Sequence, residues 1–336
     1  MIDRDAERVI PRRSFLVGLA GMAATRASGL VNDRAAGAQT PSQPAAPDHG
    51  PGPAGLAIPD PYAGKKKVLA IGDVHTGYQH DSVSHALATI ERLGRDSGAY
   101  ITYIRTDTQL VTKDAIYGTG KYAPPPSGTR PVNARNLDYF DAIFFYGLGE
   151  EALSDKQKLD LLSFVRDDGK GFVGAHSAID AFYSWPEYGR MVGAYFENHP
   201  WGIMNAPIIV EEPAFPGMRQ FPHELVLRDE IYVPTKAPYS RENVDVLARL
   251  DATKVDLKVP DLRRADGDFP VAWVKKYGKG NVFYSTLGHP DDAWDNPLIQ
   301  QMYFEAIKWA LGLTDYSPQP HPLPNAVSGE TENRLL

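Results

Sequence analysis

Hydrophobic and polar residues follow two rhythms along this chain. Residues 66–72 (KKVLAIG) form a short continuous apolar run, the pattern of a strand buried on both faces. Val83, Ala86, Leu87, Ile90 and Leu93 then fall at helical spacing, so the strand feeds an amphipathic helix over residues 82–93. Further strands are predicted at 100–104 and 139–146 (YFDAIFFY). Ser154-Asp155-Lys156-Gln157 predicts a capping box, whose Ser and Gln side chains each satisfy a backbone N–H that lacks an intrahelical partner. The helix it opens carries Leu159, Leu162 and Val165 and stops at Gly169. Residues 171–175 (GFVGA) read as a fourth buried strand, and residues 187–196 as another helical stretch.

The second half is richer in strands, at 207–211, 244–250, 271–275 and 281–285, with Gly278-Lys279-Gly280 as a hairpin turn between the last two. Asn296-Pro297 opens a final helix, with proline at its first position and Leu298, Met302, Ala306 and Trp309 on one stripe. Strands alternating with helices predict an α/β fold: a three-layer, doubly wound, mainly parallel sheet with added strands in the second half.

Outside this patterned region the chain changes character. Arg12-Arg13-Ser14-Phe15-Leu16 precedes an apolar run over 15–24 and the small residues Ala36-Gly37-Ala38. Residues 1–38 are therefore expected to be a twin-arginine export signal, and the protein periplasmic or otherwise exported. Residues 39–64 read as a Pro/Gly-rich linker, 65–313 as the α/β domain, and 314–336 as an extended tail with Pro318, Pro320, Pro322 and Pro324 at alternate positions. No run after the signal approaches the roughly 20 apolar residues of a membrane span.

Composition narrows the chemistry. The 336 residues are 43% hydrophobic and 23% charged, as in a folded globular protein. Lys plus Arg is 35 against 42 Asp plus Glu, a net charge of -7, which gives no footprint for a nucleic-acid partner. Cysteine is absent, excluding disulfides, thiolate metal sites and a Cys nucleophile. That leaves the histidines. In open α/β sheets, ligands bind beyond the carboxyl ends of the strands. His75 and His80 follow the first strand, His176 the fourth and His289 the last, while His199 and Glu230 read as loop residues.

Two motif readings compete. Leu69-Ala70-Ile71-Gly72-Asp73-Val74-His75 is similar to the opening D-x-H of a calcineurin-type metallophosphoesterase. The later motifs of that family are incomplete here, in Glu197-Asn198-His199-Pro200 and Gly288-His289-Pro290-Asp291, which makes it the weaker reading. The second spans residues 66–312. Its motifs are Tyr78-Gln79-His80-Asp81-Ser82, residues 171–178 (GFVGAHSA), Ser184-Trp185-Pro186-Glu187-Tyr188-Gly189 and Asn198-His199-Pro200. They continue with Asp229-Glu230-Ile231-Tyr232, Ala272-Trp273, Tyr277-Gly278-Lys279-Gly280 and Leu287-Gly288-His289. In this order they resemble the trehalose-utilisation, or ThuA-like, family, a branch of the class I glutamine amidotransferase-like fold.

The resemblance implies work on sugars: oxidised 3-keto-glycosides made by a partner sugar dehydrogenase, or disaccharides. Amidotransferases of this fold carry a Cys where His176 stands, so glutamine hydrolysis is excluded. Ser177 is offset by one position from a nucleophile-elbow serine. The candidate catalytic residues are His80, His176, Glu230 and His289; Asp180, Trp185, Tyr188 and Trp294 are candidates for binding substrate. Imidazoles and a carboxylate suit a divalent metal such as zinc, with His176, His199 and Glu230 as candidate ligands; no nucleotide cofactor is expected. The expected activity is isomerisation, elimination or hydrolysis, and the alternative is a non-catalytic carbohydrate-binding module. The enzyme reading requires His80, His176 and Glu230 to line one concave pocket.

Overall fold

The apolar run after Lys66 forms β1 (Lys67–Gly72), every residue of which is buried. This computed structural model describes residues 60–72, 78–116, 135–147, 149–150, 153–264 and 266–324. Residues 1–38, expected to be an export signal, all but the end of the expected linker, Asp73 and His75 of the D-x-H motif, and the tail beyond residue 324 lie outside the described residues.

After β1 come α1 (Val83–Ser97), β2 (Ile101–Arg105), β3 (Ala142–Tyr146), α2 (Asp155–Arg166), β4 (Gly171–Ala175) and α3 (Pro186–Val192). The second half holds β5 (Phe196–Asn198), β6 (Ile203–Val210), β7 (Glu224–Glu230), β8 (Val233–Pro234), β9 (Asp245–Leu250), β10 (Pro270–Tyr277), β11 (Gly280–Ser285) and α4 (Pro297–Ala310). The capping box at Ser154 forms as expected, with Ser154 Oγ accepting from the Gln157 N–H and Gln157 Oε1 from the Ser154 N–H. Leu159 is exposed, because it falls on the opposite side of α2 from Leu161 and Val165, which face the sheet. Helix α3 is shorter than its sequence pattern suggests; Gly193 ends it with φ 107°.

Nine strands form one sheet in the order β2-β1-β3-β4-β11-β10-β9-β6-β7. The first five are mutually parallel; β10, β9, β6 and β7 then pair antiparallel in succession. Two reversals restore direction, so β9 and β7 run the same way as β4 and β11. This is the mixed α/β architecture expected, and it has one consequence for function. The carboxyl ends of β1, β4, β11 and β7 all belong to the same edge.

Alternation along the central strands sends Val68, Ala70 and Phe144 to one face, where α1 and α4 cover them, and Leu69, Ile71 and Phe145 to the other, where α2 and α3 lie. Full burial of each Val, Leu, Ile or Phe among these contributes about 1.5–3 kcal/mol, which holds β1 and β3 firmly between the two helix layers. Among the described residues, no helix is long and apolar enough to cross a membrane.

Candidate active site

His176 stands where the chain leaves β4, with its backbone in the left-handed region at φ 42°. A non-glycine residue persists there only when its surroundings enforce it. Tyr284 Oη donates to the His176 carbonyl at 2.6 Å, and His176 Nδ1 lies 2.6 Å from the Thr286 carbonyl. A carbonyl can only accept, so Nδ1 carries the hydrogen. Complete burial pushes the ring's pKa down, against the pull of Glu230, and keeps it neutral. Nε2 is therefore left as a lone pair.

That lone pair meets two others. His176 Nε2 is 3.0 Å from His289 Nδ1 and 3.6 Å from Glu230 Oε2, and His289 Nδ1 is 3.0 Å from the same oxygen. The second Glu230 oxygen is 3.3 Å from His199 Nδ1. His80 closes the cluster, its ring 4.8 Å from that of His176 and 5.0 Å from that of His289. One nitrogen from each of these three histidines lies within 4.8 Å of the others.

A triangle of two imidazole nitrogens and a carboxylate oxygen needs a positive centre. A proton on His289 Nδ1, shared between His176 Nε2 and Glu230 Oε2, satisfies it; so does a metal ion. Tetrahedral ligands at about 2.0–2.2 Å from zinc stand roughly 3.4 Å apart, close to the observed edges. The residues present thus fit a divalent ion, with His80 near enough to complete the set and the Thr286 carbonyl fixing the His176 tautomer.

The charges favour such a role. Burial, with His176 and His289 adding to it, pushes the His80 pKa down to about 3, so its imidazole is neutral at ordinary pH. Burial alone would raise Glu230, but its interactions with the neighbouring His176 and His289 rings outweigh it and hold the carboxyl well below its usual range. Asp180 goes the other way: burial raises it, against the hydrogen bond donated by Tyr183.

Above the cluster opens a pocket of about 320 Å³ lined by Tyr78, His80, Asp180, Phe196, His199, Ile203, Glu230, Tyr232 and His289. Of the residues expected to line a pocket, His80 and Glu230 do so. His176 does not, so that requirement is met only in part: the elbow turns its fully buried ring beneath them, where Nε2 faces His289 and Glu230 of the lining and not an apolar core. Asp180 reaches the pocket from the end of a single 3₁₀ turn over His176–Ile179. Glu230 is not the loop residue the sequence suggested; it ends β7 and is buried.

Three expected substrate contacts are corrected. Tyr188 is fully buried, and its hydroxyl donates to the Ala178 carbonyl at 2.6 Å. Trp185 stacks on Tyr188 and meets Phe182 edge-on, within the helix-to-sheet core. Trp294 is buried behind the site, its Nε1 donating to the Gly288 carbonyl at 3.0 Å. Their large apolar surfaces fill the core instead of facing the pocket. Ser177 is also fully buried, away from the pocket lining.

The aromatic lining comes instead from Tyr78, Phe196 and Tyr232. Tyr232 also packs on His176, with ring centroids 4.1 Å apart, and its N–H donates to Thr286 Oγ1. Tyr232 lies two residues beyond the end of β7, a strand whose charged pattern carries no sequence signal for it.

Residues 67–310 match the profile of the family described as ThuA, trehalose utilisation. Among solved structures, a ThuA-like protein from Bacteroides uniformis is 20% identical, covering 76% of this chain and 95% of that one, with a TM-score of 0.57. A ThuA-like protein from Parabacteroides merdae is 17% identical over 77% of this chain and 94% of its own, with a TM-score of 0.53. Among curated proteins, none matches the chain. With its family profile running from β1 to the end of α4 and the same fold in two ThuA-like structures, this chain belongs to the ThuA-like, trehalose-utilisation family.

Proposed function

We propose that this protein is an exported sugar-processing enzyme that acts on a keto-glycoside by proton transfer beside the carbonyl. The observation carrying this reading is the triangle of His176 Nε2, His289 Nδ1 and Glu230 Oε2 at the edge of a sugar-sized pocket. Small-molecule pockets begin near about 300 Å³, so this one suits a monosaccharide unit. Its lining has five titratable histidine and carboxylate side chains and, among the described residues, no Asn or Gln. A binding module would favour aromatics and amides; convergent acids and bases favour catalysis.

A keto group acidifies the neighbouring C–H, so the site must remove a proton and hold the developing enolate charge. Asp180, raised by burial, is the residue proposed to carry that proton. His80, neutral and beside His176 and His289, donates or accepts hydrogen bonds without adding charge. His176, His289 and Glu230 would hold a zinc ion, with His80 or His199 alongside. Zinc bound there supplies a Lewis acid for the carbonyl oxygen. Export rests on Arg12-Arg13 and the apolar run after it.

The test is exchange in heavy water with a 3-keto-glucoside, followed by NMR. The wild type should incorporate deuterium next to the carbonyl. Asp180→Asn should slow incorporation by about 10²–10⁴-fold with ligand affinity retained. Binding without exchange in the wild type would reject catalysis and favour the carbohydrate-binding module.

A further inference from the structure

A second cluster lies away from the pocket, where the proline-rich tail returns to the domain. Tyr316 Oη donates to Asp245 Oδ2 at 2.7 Å, and the Gln319 N–H donates to the same oxygen at 2.7 Å. The other oxygen, Oδ1, is buried without a hydrogen-bond partner among the described residues, and the Asp245 side chain is 0% exposed. Nearby, His321 Nε2 is also buried and without a hydrogen-bond partner. It lies 3.8 Å from Asp245 Oδ1, 3.6 Å from Glu212 Oε1 and 3.6 Å from Glu211 Oε2.

Carboxylates outnumber the arginines that pair with them here. Glu211 is held by Arg241 at 2.7 Å and Arg249 at 2.8 Å. No arginine or lysine is paired with Glu212 or Asp245 among the described residues. His321 Nδ1 is 3.0 Å from the Pro322 carbonyl, so it carries a hydrogen and a neutral ring presents a bare lone pair to three carboxylates. Separations of 3.6–3.8 Å are too long for N–H···O hydrogen bonds. They are close to the roughly 3.4 Å between neighbouring ligands on one zinc ion.

We propose that His321, Glu212 and Asp245 form a second divalent-metal site, taking zinc, which clamps the tail to the domain. One ligand atom from each of Glu212, Asp245 and His321 lies within 4.8 Å of the others. The imidazole favours zinc over calcium or magnesium, which prefer oxygen alone. The Pro322 carbonyl orients the ring as outer partners do in zinc sites. Glu211 is committed to the arginines and adds charge without being needed as a ligand. The alternating prolines stiffen the tail, lowering the entropy lost when it is seated.

The proposal does not depend on the pocket's function, and the test separates the two sites. Zinc bound per full-length chain is counted in His289→Ala, which disables the pocket site, and in His289→Ala combined with His321→Ala. The first should bind one equivalent and the second none. Hydrogen exchange at the Gln319 amide reports the clamp directly. In His289→Ala it should slow by about 100-fold when zinc is added at 100 times its dissociation constant, and it should not respond in the double variant. His321 is partly exposed, so its replacement spares the core. Equal zinc counts in the two proteins, no zinc in either, or exchange that follows pH but ignores zinc would overturn the proposal; the last result would mean that a protonated His321 supplies the positive charge.

Discussion

Asp229 holds the loop of His289 by its backbone: Oδ1 accepts the His289 N–H at 3.0 Å while Oδ2 accepts the Gly288 N–H at 2.8 Å. Oδ1 also accepts the Glu230 N–H at 2.8 Å. One fully buried carboxyl thus sets the relative positions of the two residues whose side chains meet 3.0 Å apart in the triangle. Ser82, Tyr146 and Trp294 grip the same loop from behind, through the Gly288 carbonyl.

Removing that carboxyl should disturb both stability and the site. Asp229→Ala leaves three N–H groups without their acceptor, two of them buried at about 1–3 kcal/mol each. The urea midpoint should fall, and zinc affinity at the triangle should drop about 10–100-fold, as for lost outer partners of metal ligands. An unchanged urea midpoint would show that these hydrogen bonds do not order the loop.

The aromatic corrections make a paired prediction. Tyr188→Phe removes the donor to the buried Ala178 carbonyl and should lower stability by about 1 kcal/mol, leaving sugar affinity unchanged. Tyr78, at the pocket and 60% exposed, should behave in reverse: Tyr78→Ala weakens sugar binding and leaves the unfolding midpoint within about 0.5 kcal/mol of wild type. Calorimetric titration alongside thermal unfolding separates the two. Weakened sugar binding in Tyr188→Phe at full stability would restore the sequence-based assignment.

The contrast between these tyrosines shows what sequence patterning can carry. β1, β3, β4 and β11 are continuous apolar runs, and His80, His176 and His289 follow three of them, so the edge they share was legible. β7 was not, because Glu224, Val226 and Arg228 are exposed while Leu227 and Asp229 are buried, a charged alternation that resembles a loop. Without β7, Glu230 had no direction, and Asp229 and Tyr232 had no role. Nor does an aromatic residue's spacing reveal whether it faces solvent or core; Trp185, Tyr188 and Trp294 fit both until packing decides. The left-handed turn that lowers His176 beneath the pocket is likewise a product of tertiary hydrogen bonds, which no local pattern encodes.

The last prediction concerns acid stability. Asp160, buried on α2, accepts from Lys156 Nζ at 2.7 Å, the Lys113 N–H at 2.8 Å and Thr112 Oγ1 at 3.1 Å. It thereby ties residues 112–113 to the helix. Burial would raise its pKa, but the hydrogen bonds from Lys156, Lys113 and Thr112 outweigh it and lower the carboxyl below its ordinary value of 3.8. A carboxyl depressed on folding contributes stability above its unfolded pKa and loses it as pH falls through the folded pKa. Asp160→Asn should therefore cost about 1 kcal/mol at pH 7, the exposed Lys156 end being screened by solvent. The gap between variant and wild type should hold down to about pH 4 and close progressively below it. Urea unfolding of both proteins from pH 7 to pH 2.5 measures this directly. A gap that widens in acid would mean that the carboxyl is destabilised by its burial, and that the three donors do not compensate it.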